Sequence, residues 1–184
     1  MKYKMKNIII NYKRKNLTSL WRLENSRKGF TLVELLIFMG ILTILLTILT
    51  QVFTMILDAQ LESQANSSVD QDGKYIINRL TYDLNNAQDI NTPAAPGQQE
   101  GTLQLAIGGI NYVYSLNNGN IQLSDGNTIE NLNSFNTNVS GLNFLRLGNT
   151  GGKNSIKITF TLTSKTIKNS GQEQETFSTT LGLR

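Results

Sequence analysis

An uninterrupted apolar segment of 28 residues, from Phe30 to Leu57, most constrains what this chain can fold into. It contains one charged residue, Glu34, and no proline. A helix over this segment is about 42 Å long at about 1.5 Å per residue, and about 20 apolar residues suffice to cross the hydrocarbon core of a bilayer. The segment therefore predicts a membrane-spanning helix.

The charges on the two sides of this segment differ in sign. Residues 1–29 contain nine basic residues and one acidic residue, a net charge of +8, whereas residues 30–184 contain eight basic and twelve acidic residues, a net charge of −4. Because cytoplasmic flanks of membrane helices are enriched in lysine and arginine, we expect residues 1–29 in the cytoplasm and the C-terminal part outside. The basic pI therefore reports membrane orientation, and a nucleic acid partner is not expected.

Residues 58–90 continue the helical pattern with fewer apolar side chains. Apolar or small residues recur in steps of three and four, which place them on one stripe of an amphipathic helix: Leu61, Ala65, Val69, Gly73, Ile76, Leu80, Leu84 and Ala87. The polar residues from Asn66 to Ser68, together with Gly73, predict a kink or short break in the middle. Both prolines lie in residues 91–101, so the helix is expected to end near Ile90 before a linker.

Residues 102–184 change to a period of two, which is typical of strands with one buried face. Apolar residues alternate in four segments, 103–107, 110–116, 156–162 and 177–183. Turn signals lie between them at Gly108-Gly109, Asn117–Gly119, Asp125–Asn127, Gly151-Gly152 and Asn169–Gly171. The Asn-rich and Gly-rich residues 117–154 are expected to be loop-heavy. We predict an α+β fold in which a long N-terminal hydrophobic helix packs on a C-terminal antiparallel β-sheet.

The composition argues against several functions. The chain has no cysteine and no histidine, so a disulfide framework, a thiolate metal site and the usual general base are missing from the sequence. Residues 70–73 resemble the start of a calcium loop without its later ligands, which favours a solvated helix face. Tyr112 and Tyr114 have no basic neighbours for binding single-stranded nucleic acid, which favours core packing. We expect no enzymatic activity, no metal and no cofactor.

The junction that precedes the apolar segment carries the most specific signal. Arg27 and Lys28 precede Gly29, the aromatic Phe30 follows it, and Glu34 lies at the start of the apolar segment. This pattern resembles the processing site of type IV pilins and of the pseudopilins of type II secretion. The resemblance implies that a prepilin peptidase recognises Arg27, Lys28 and Gly29, cleaves the bond between Gly29 and Phe30, and N-methylates Phe30.

The resemblance covers about residues 26–57, and residues 69–87 are similar to the helical spine of minor pilins. Two features depart from the family pattern: the leader of residues 1–29 is long, and the paired cysteines of many pilins are missing. Neither departure affects the junction itself.

Glu34 is also singled out by the cost of placing it in a membrane. An ionisable side chain inside a span costs about 2.5–3.5 kcal/mol on insertion scales and usually has a functional partner. Once Phe30 is the N-terminus, its amine lies about 6 Å of helix rise from Glu34. The resemblance implies that Glu34 pairs with the Phe30 amine of a neighbouring subunit during assembly. The alternative is a glutamate that reaches the bilayer surface without a partner.

We interpret the chain as a minor pilin or pseudopilin that is processed and then assembled into a type IV pilus-like or type II secretion filament. The expected partners are the prepilin peptidase, other pilins, the general secretion translocon and the membrane. The expected location is the inner membrane, crossed once, with the leader cytoplasmic and the C-terminal domain outside, followed by the pilus or pseudopilus. A role in competence is a further possibility within this class.

Other classes of protein explain parts of the same pattern. A secretory signal fits poorly, because the apolar segment is much longer than the 7–15 residues of a typical signal core. An uncleaved signal anchor explains the charges but not the junction. The main alternative function is a membrane-anchored extracytoplasmic module that binds DNA, a surface or a secreted substrate and has no filament role.

Overall fold

The computed structural model describes residues 29–148 and 152–183. Within these residues the chain forms one α-helix followed by nine β-strands: α1 Leu32–Asn86, β1 Asp89–Thr92, β2 Gln99–Glu100, β3 Leu103–Ile107, β4 Ile110–Asn117, β5 Asn120–Ser124, β6 Ile129–Asn131, β7 Thr137–Leu147, β8 Ser155–Lys168 and β9 Gly171–Gly182. The expected leader, including Arg27 and Lys28, lies outside the described residues except for Gly29. The fold divides between Thr50 and Gln51, and the second unit contains the rest of α1 and all of the strands.

Helix α1 carries the predicted apolar stripe in its C-terminal half. The buried residues of this half include Ala65, Val69, Gly73, Ile76, Leu80 and Leu84. Leu61, which the pattern also placed on the stripe, is exposed. The helix continues without a break through residues 66–73. The predicted break is absent because Gly73, which has a low intrinsic helix propensity, is held in the buried contact with the strands.

The end of α1 differs from the prediction. The helix ends at Asn86, and Ile90, expected as its last residue, lies in β1, where it pairs with Leu105 of β3 and is buried. The expected linker of residues 91–101 contains the end of β1 and all of β2. The pattern of apolar residues over so short a stretch fits a helix and a strand equally well, and strand pairing decides between them because it buries Ile90.

The α+β class and the antiparallel pairing are confirmed, with two sheets instead of one. Sheet A has the strand order β1-β3-β4-β5-β6, and sheet B has the order β2-β7-β8-β9. Four of the predicted turns join paired strands: Gly108-Gly109, Asn117–Gly119, Asp125–Asn127 and Asn169–Gly171. At the second of them Asn118 and Gly119 both have positive φ, 47° and 76°, which a two-residue hairpin turn requires.

Residues 117–154, which the sequence predicts to be rich in loops, also contain β5, β6 and the 11-residue β7. The pairing of β7 with β8 shifts register between Ser140 and Asn143. This bulge breaks the alternation of buried side chains, so β7 shows no continuous period of two along the sequence.

The core lies between the C-terminal half of α1 and the two sheets. Its largest fully buried side chains include Ile76, Leu80 and Leu84 from α1, Leu103, Leu105, Tyr114 and Ile121 from sheet A, and Phe144, Ile156, Ile158 and Phe160 from sheet B. Tyr114 is fully buried and Tyr112 packs against the core, as the sequence predicts. Most residues of this core are therefore ones that the apolar patterns of the sequence predict to be buried.

Gly73 of α1 packs against the ring of Phe177 in β9. A Cβ atom at this position would overlap the ring of Phe177, which stacks on Phe160 with a centroid distance of 5.3 Å. We predict that Gly73→Ala lowers the free energy of unfolding by about 1–3 kcal/mol, because a packed ring must move. Denaturant unfolding of the full-length protein in detergent measures this.

Gly40→Ala is the matched control, because no atom lies within 4 Å of a Cβ at that helical position. It should be neutral or slightly stabilising, since alanine favours the helix. Equal stability of the two variants would show that Phe177 moves aside without cost.

Candidate functional site at the junction and the start of the helix

The residues around the junction adopt a helix-capping geometry. Gly29, Phe30 and Thr31 precede the helix, which begins at Leu32. The Glu34 backbone N–H donates to Thr31 Oγ1 at 3.2 Å, and the Leu35 N–H donates to the Thr31 carbonyl at 3.1 Å. Thr31 is therefore the N-cap residue and Glu34 the third helical residue, which is the spacing of a capping box.

This geometry changes the setting expected for Glu34. The estimate of about 6 Å between the Phe30 amine and Glu34 assumes that Phe30 is helical, whereas Phe30 precedes the helix in the intact chain. Glu34 lies in the first turn of α1, where the helix dipole favours a carboxylate. Among the described residues, the Thr31 cap uses the backbone N–H of Glu34, and the Glu34 carboxylate makes no return hydrogen bond to the Thr31 N–H.

The bond between Gly29 and Phe30 is open to the surroundings. Gly29 is exposed, Phe30 is 77% exposed, and no atom lies within 4 Å of a Cβ built on Gly29. The described fold therefore does not require glycine at this position. An absolute requirement for Gly29 would have to come from an enzyme that approaches the backbone closely.

The apolar part of α1 is not covered by the other residues that the structure describes. Its large apolar side chains from Leu32 to Leu57 are exposed except for Leu42, which is partly buried, and α1 is long and apolar enough to cross a bilayer. Apolar surface of this extent is stable in lipid or against other proteins, but not in water. A single-pass membrane anchor therefore fits this segment.

Four threonine hydroxyls inside the apolar segment bond to the backbone of the helix itself. Hydroxyl groups of four threonines donate to backbone carbonyls three or four residues earlier, at 2.8–2.9 Å: Thr43 to Met39, Thr47 to Thr43, Thr50 to Leu46 and Thr54 to Gln51. A hydroxyl bonded in this way adds little cost in lipid, where unpaired polar groups are expensive. Glu34 thus remains the one charged side chain between Leu32 and Leu57.

The comparison with protein families identifies the same segment. The prokaryotic N-terminal methylation motif matches residues 25–50, which include the junction, Glu34 and most of the apolar segment. The match confirms the resemblance to prepilins that the residues around Gly29 indicate and supports a pilin-type protein. Comparisons with curated proteins and with solved structures gave no significant match.

Two buried polar clusters in the second unit were not anticipated from the sequence. Asp83 accepts hydrogen bonds from Tyr114 and from Arg79 Nε, the latter at 3.0 Å. Burial, and then the hydrogen bond to Asp83, raise the pKa of Tyr114 well above its usual range, so the phenol stays protonated. No signal in the sequence pairs these positions, because Asp83 and Tyr114 come from α1 and β4.

Arg146 forms the second cluster. Its Nη1 lies 2.8 Å from the Ile90 carbonyl oxygen and 2.9 Å from those of Pro93 and Ala94, and the side chain is buried. The nearest carboxylate, on Asp89, is 4.0 Å from Nη2. Arg146 therefore connects sheet B to the end of β1 and the segment after it, mainly through backbone carbonyls. Its role is structural.

Proposed function

We propose that this chain is a pilin-type subunit that a prepilin peptidase cleaves between Gly29 and Phe30 and N-methylates at Phe30. The mature chain then assembles into a type IV pilus-like or type II secretion filament. The observation that carries the proposal is the methylation motif at residues 25–50, which coincides with an exposed junction directly before a capped apolar helix.

The residues of the junction have separate roles in this reaction. Arg27 and Lys28 hold the leader at the cytoplasmic surface, where anionic headgroups attract basic side chains. Gly29 lets the peptidase approach the carbonyl that water attacks when the peptide bond breaks. The amine released on Phe30 receives the methyl group, and the short segment before the Thr31 cap keeps the bond outside the helix, where a protease needs an extended backbone.

Glu34 and the apolar segment serve assembly in this proposal. After cleavage the Phe30 ammonium needs an acceptor when it leaves the membrane surface, and the carboxylate of Glu34 on a neighbouring subunit supplies one. The exposed apolar side chains exchange lipid for the helices of other subunits. The second unit, beginning at Gln51, is then carried outside the membrane as the surface part of the filament.

Replacing Gly29 by Val is predicted to leave the precursor uncleaved. The β-branched side chain obstructs the peptidase, whereas the protein's own fold has space for it. Intact-mass analysis of the protein from membranes of a host with an active peptidase measures the result. Native protein should have the mass of an N-methylated chain starting at Phe30, and the variant should retain residues 1–29.

Gly40→Ala again provides a control, because it changes a glycine of the apolar helix without touching the junction. It should be cleaved like the native chain. Native protein that keeps residues 1–29 in the presence of the peptidase would refute the proposed processing.

A further inference from the structure

The hairpin formed by β8 and β9 lies beside α1. In the second half of β9, the ring of Phe177 packs against Gly73 of the helix. In the turn between the two strands, Asn169 Nδ2 donates to Asp58 Oδ1 at 2.9 Å. The hairpin therefore contacts α1 at two levels, which are fifteen residues apart along the helix.

These two contacts show the direction in which the hairpin runs. From Gly73 back to Asp58 the helix covers about 22 Å, at about 1.5 Å per residue. From Phe177 back to Gly171, the first residue of β9, the strand covers about 20 Å, at about 3.3 Å per residue. Because the two lengths agree, β9 runs alongside α1. The turn is then the part of the hairpin that lies nearest to the apolar segment.

Asp72 also fixes α1 to the strands. Its Oδ2 accepts from the Ser134 N–H at 2.9 Å, from Ser134 Oγ at 2.8 Å and from Thr137 Oγ1 at 2.6 Å. Thr137 is the first residue of β7, which pairs with β8, so this contact also holds the hairpin in place. The prediction that residues 70–73 form a solvated helix face is therefore wrong for Asp72.

Asp58 marks the outer end of the apolar segment. It follows Leu57 directly and is the first charged residue after Glu34. The 23 uncharged residues between Glu34 and Asp58 make about 35 Å of helix, which is about 5 Å more than the hydrocarbon core of a bilayer. Because a charged side chain is costly inside that core, the outer edge of the core lies within about 5 Å of Asp58. Asn169, which bonds to Asp58, is therefore at the level of the membrane surface.

The residues of the turn suit a position among lipid headgroups. The headgroup layer is about 5–8 Å thick on each side of a bilayer. Ile167 is two strand residues, or about 7 Å, from Asn169, and its side chain is 72% exposed. The one charged residue in residues 167–172 is Lys168, which is largely buried and donates to Glu173 Oε2 at 2.5 Å. The turn thus presents an apolar side chain, and its one charge is paired.

We propose that residues 167–172, called the hairpin tip below, rest in the headgroup layer on the outer face of the membrane that α1 crosses, with Ile167 in contact with lipid. A single exposed apolar side chain is common and needs no explanation by itself. The position of Ile167 beside the end of a membrane span identifies the phospholipid bilayer as its partner, because contact with lipid removes its apolar surface from water. The inference rests on the membrane anchor in the proposed function, and not on cleavage or filament assembly.

Fluorescence quenching in vesicles tests this contact. The chain has no cysteine, so each single-cysteine variant carries one fluorophore at a known position. The labelled full-length protein is reconstituted into phosphatidylcholine vesicles that contain a lipid with a nitroxide quencher on its headgroup. We expect the fluorophore on Ile167→Cys to be quenched at least about twofold more strongly than the fluorophore on Ile129→Cys, because the nitroxides are confined to the headgroup layer.

Ile129 provides a control of similar exposure far from the membrane. It is 68% exposed, and its neighbours Thr128 and Glu130 line a cavity together with Arg79 of α1. Arg79 lies about 31 Å of helix rise beyond Asp58. The cavity therefore places Ile129 well outside the headgroup layer.

Two further labels separate the inference from the membrane anchor itself. Leu57→Cys reports the anchor, and Lys165→Cys lies about 7 Å farther along β8 than Ile167 and should be quenched less. Quenching of Ile167→Cys that is no stronger than that of Ile129→Cys, with Leu57→Cys quenched, overturns the inference and leaves the anchor intact. Stronger quenching of Lys165→Cys than of Ile167→Cys contradicts the direction of the hairpin. An unquenched Leu57→Cys contradicts both the inference and the anchor.

Discussion

Replacing Glu34 by Gln is expected to leave membrane insertion and cleavage intact and to remove the protein from filaments. A neutral side chain enters lipid more readily than a charged one, and the bond between Gly29 and Phe30 is unchanged. The capping bond to Thr31 Oγ1 comes from the backbone N–H of residue 34, which glutamine keeps, so the start of α1 is preserved. The lost partner leaves the Phe30 ammonium unpaired among packed apolar helices, which costs several kcal/mol.

The measurement compares processed protein in the membrane with protein in sheared filaments. Because each 1.4 kcal/mol changes an equilibrium about tenfold, incorporation of Glu34→Gln should fall by at least about tenfold. Leu35→Ala is the control, since it trims packing next to Glu34 and leaves the charge pair. If Glu34→Gln assembles normally, the carboxylate serves only the helix terminus. If Glu34→Gln blocks cleavage, the peptidase recognises the Glu34 side chain.

Replacing Arg146 by Met is expected to lower the free energy of unfolding by about 3–5 kcal/mol, because each hydrogen bond to a charged group contributes about 1.5–3 kcal/mol and several are lost together. The carbonyls of Ile90, Pro93 and Ala94 lose their shared donor, and the apolar side chain cannot replace it. For a protein of this size each kcal/mol lowers the melting temperature by about 2–4 °C, so the expected decrease is about 10 °C.

Thermal unfolding of the full-length protein in detergent provides the measurement. Lys157→Met is the control, because Lys157 is an exposed residue of β8 and its loss should change stability by less than about 0.5 kcal/mol. The melting temperature of Arg146→Lys should lie between those of Arg146→Met and Lys157→Met, since an ammonium keeps the charge but reaches fewer carbonyls. Native-like stability of Arg146→Met would mean that water takes over the three carbonyls.

The sequence predicts the parts of the fold that rest on regular repetition. The apolar segment, the buried stripe of α1 and strands β3, β4 and β8 follow from periods of three to four or of two, and each period reports one buried face. The turns at Gly108-Gly109 and Asn117–Gly119 follow from residues that tolerate positive φ. These features are local, so a single stretch of sequence contains all of the information.

Features that depend on contacts between distant segments were not predictable in this way. The bulge in β7 interrupts its alternation of buried side chains. The residues of β1 were divided between the predicted helix and the predicted linker. The carbonyl partners of Arg146 lie more than fifty residues earlier in the chain. For the candidate site, the junction was found from residue types alone. Its cap at Thr31 was missed, although Thr31 and Glu34 have the spacing of a capping box.

The threonines of the apolar helix have a consequence for how neighbouring subunits slide past each other. Hydroxyls that already bond to their own backbone offer no directional contact to an adjacent helix, and the other side chains from Leu35 to Leu57 are apolar apart from Gln51. Two such helices can shift along their axes by one turn and bury nearly the same area. Axial position in a bundle of these helices must therefore be dictated at its ends, by the single carboxylate at one end and by the folded domain at the other.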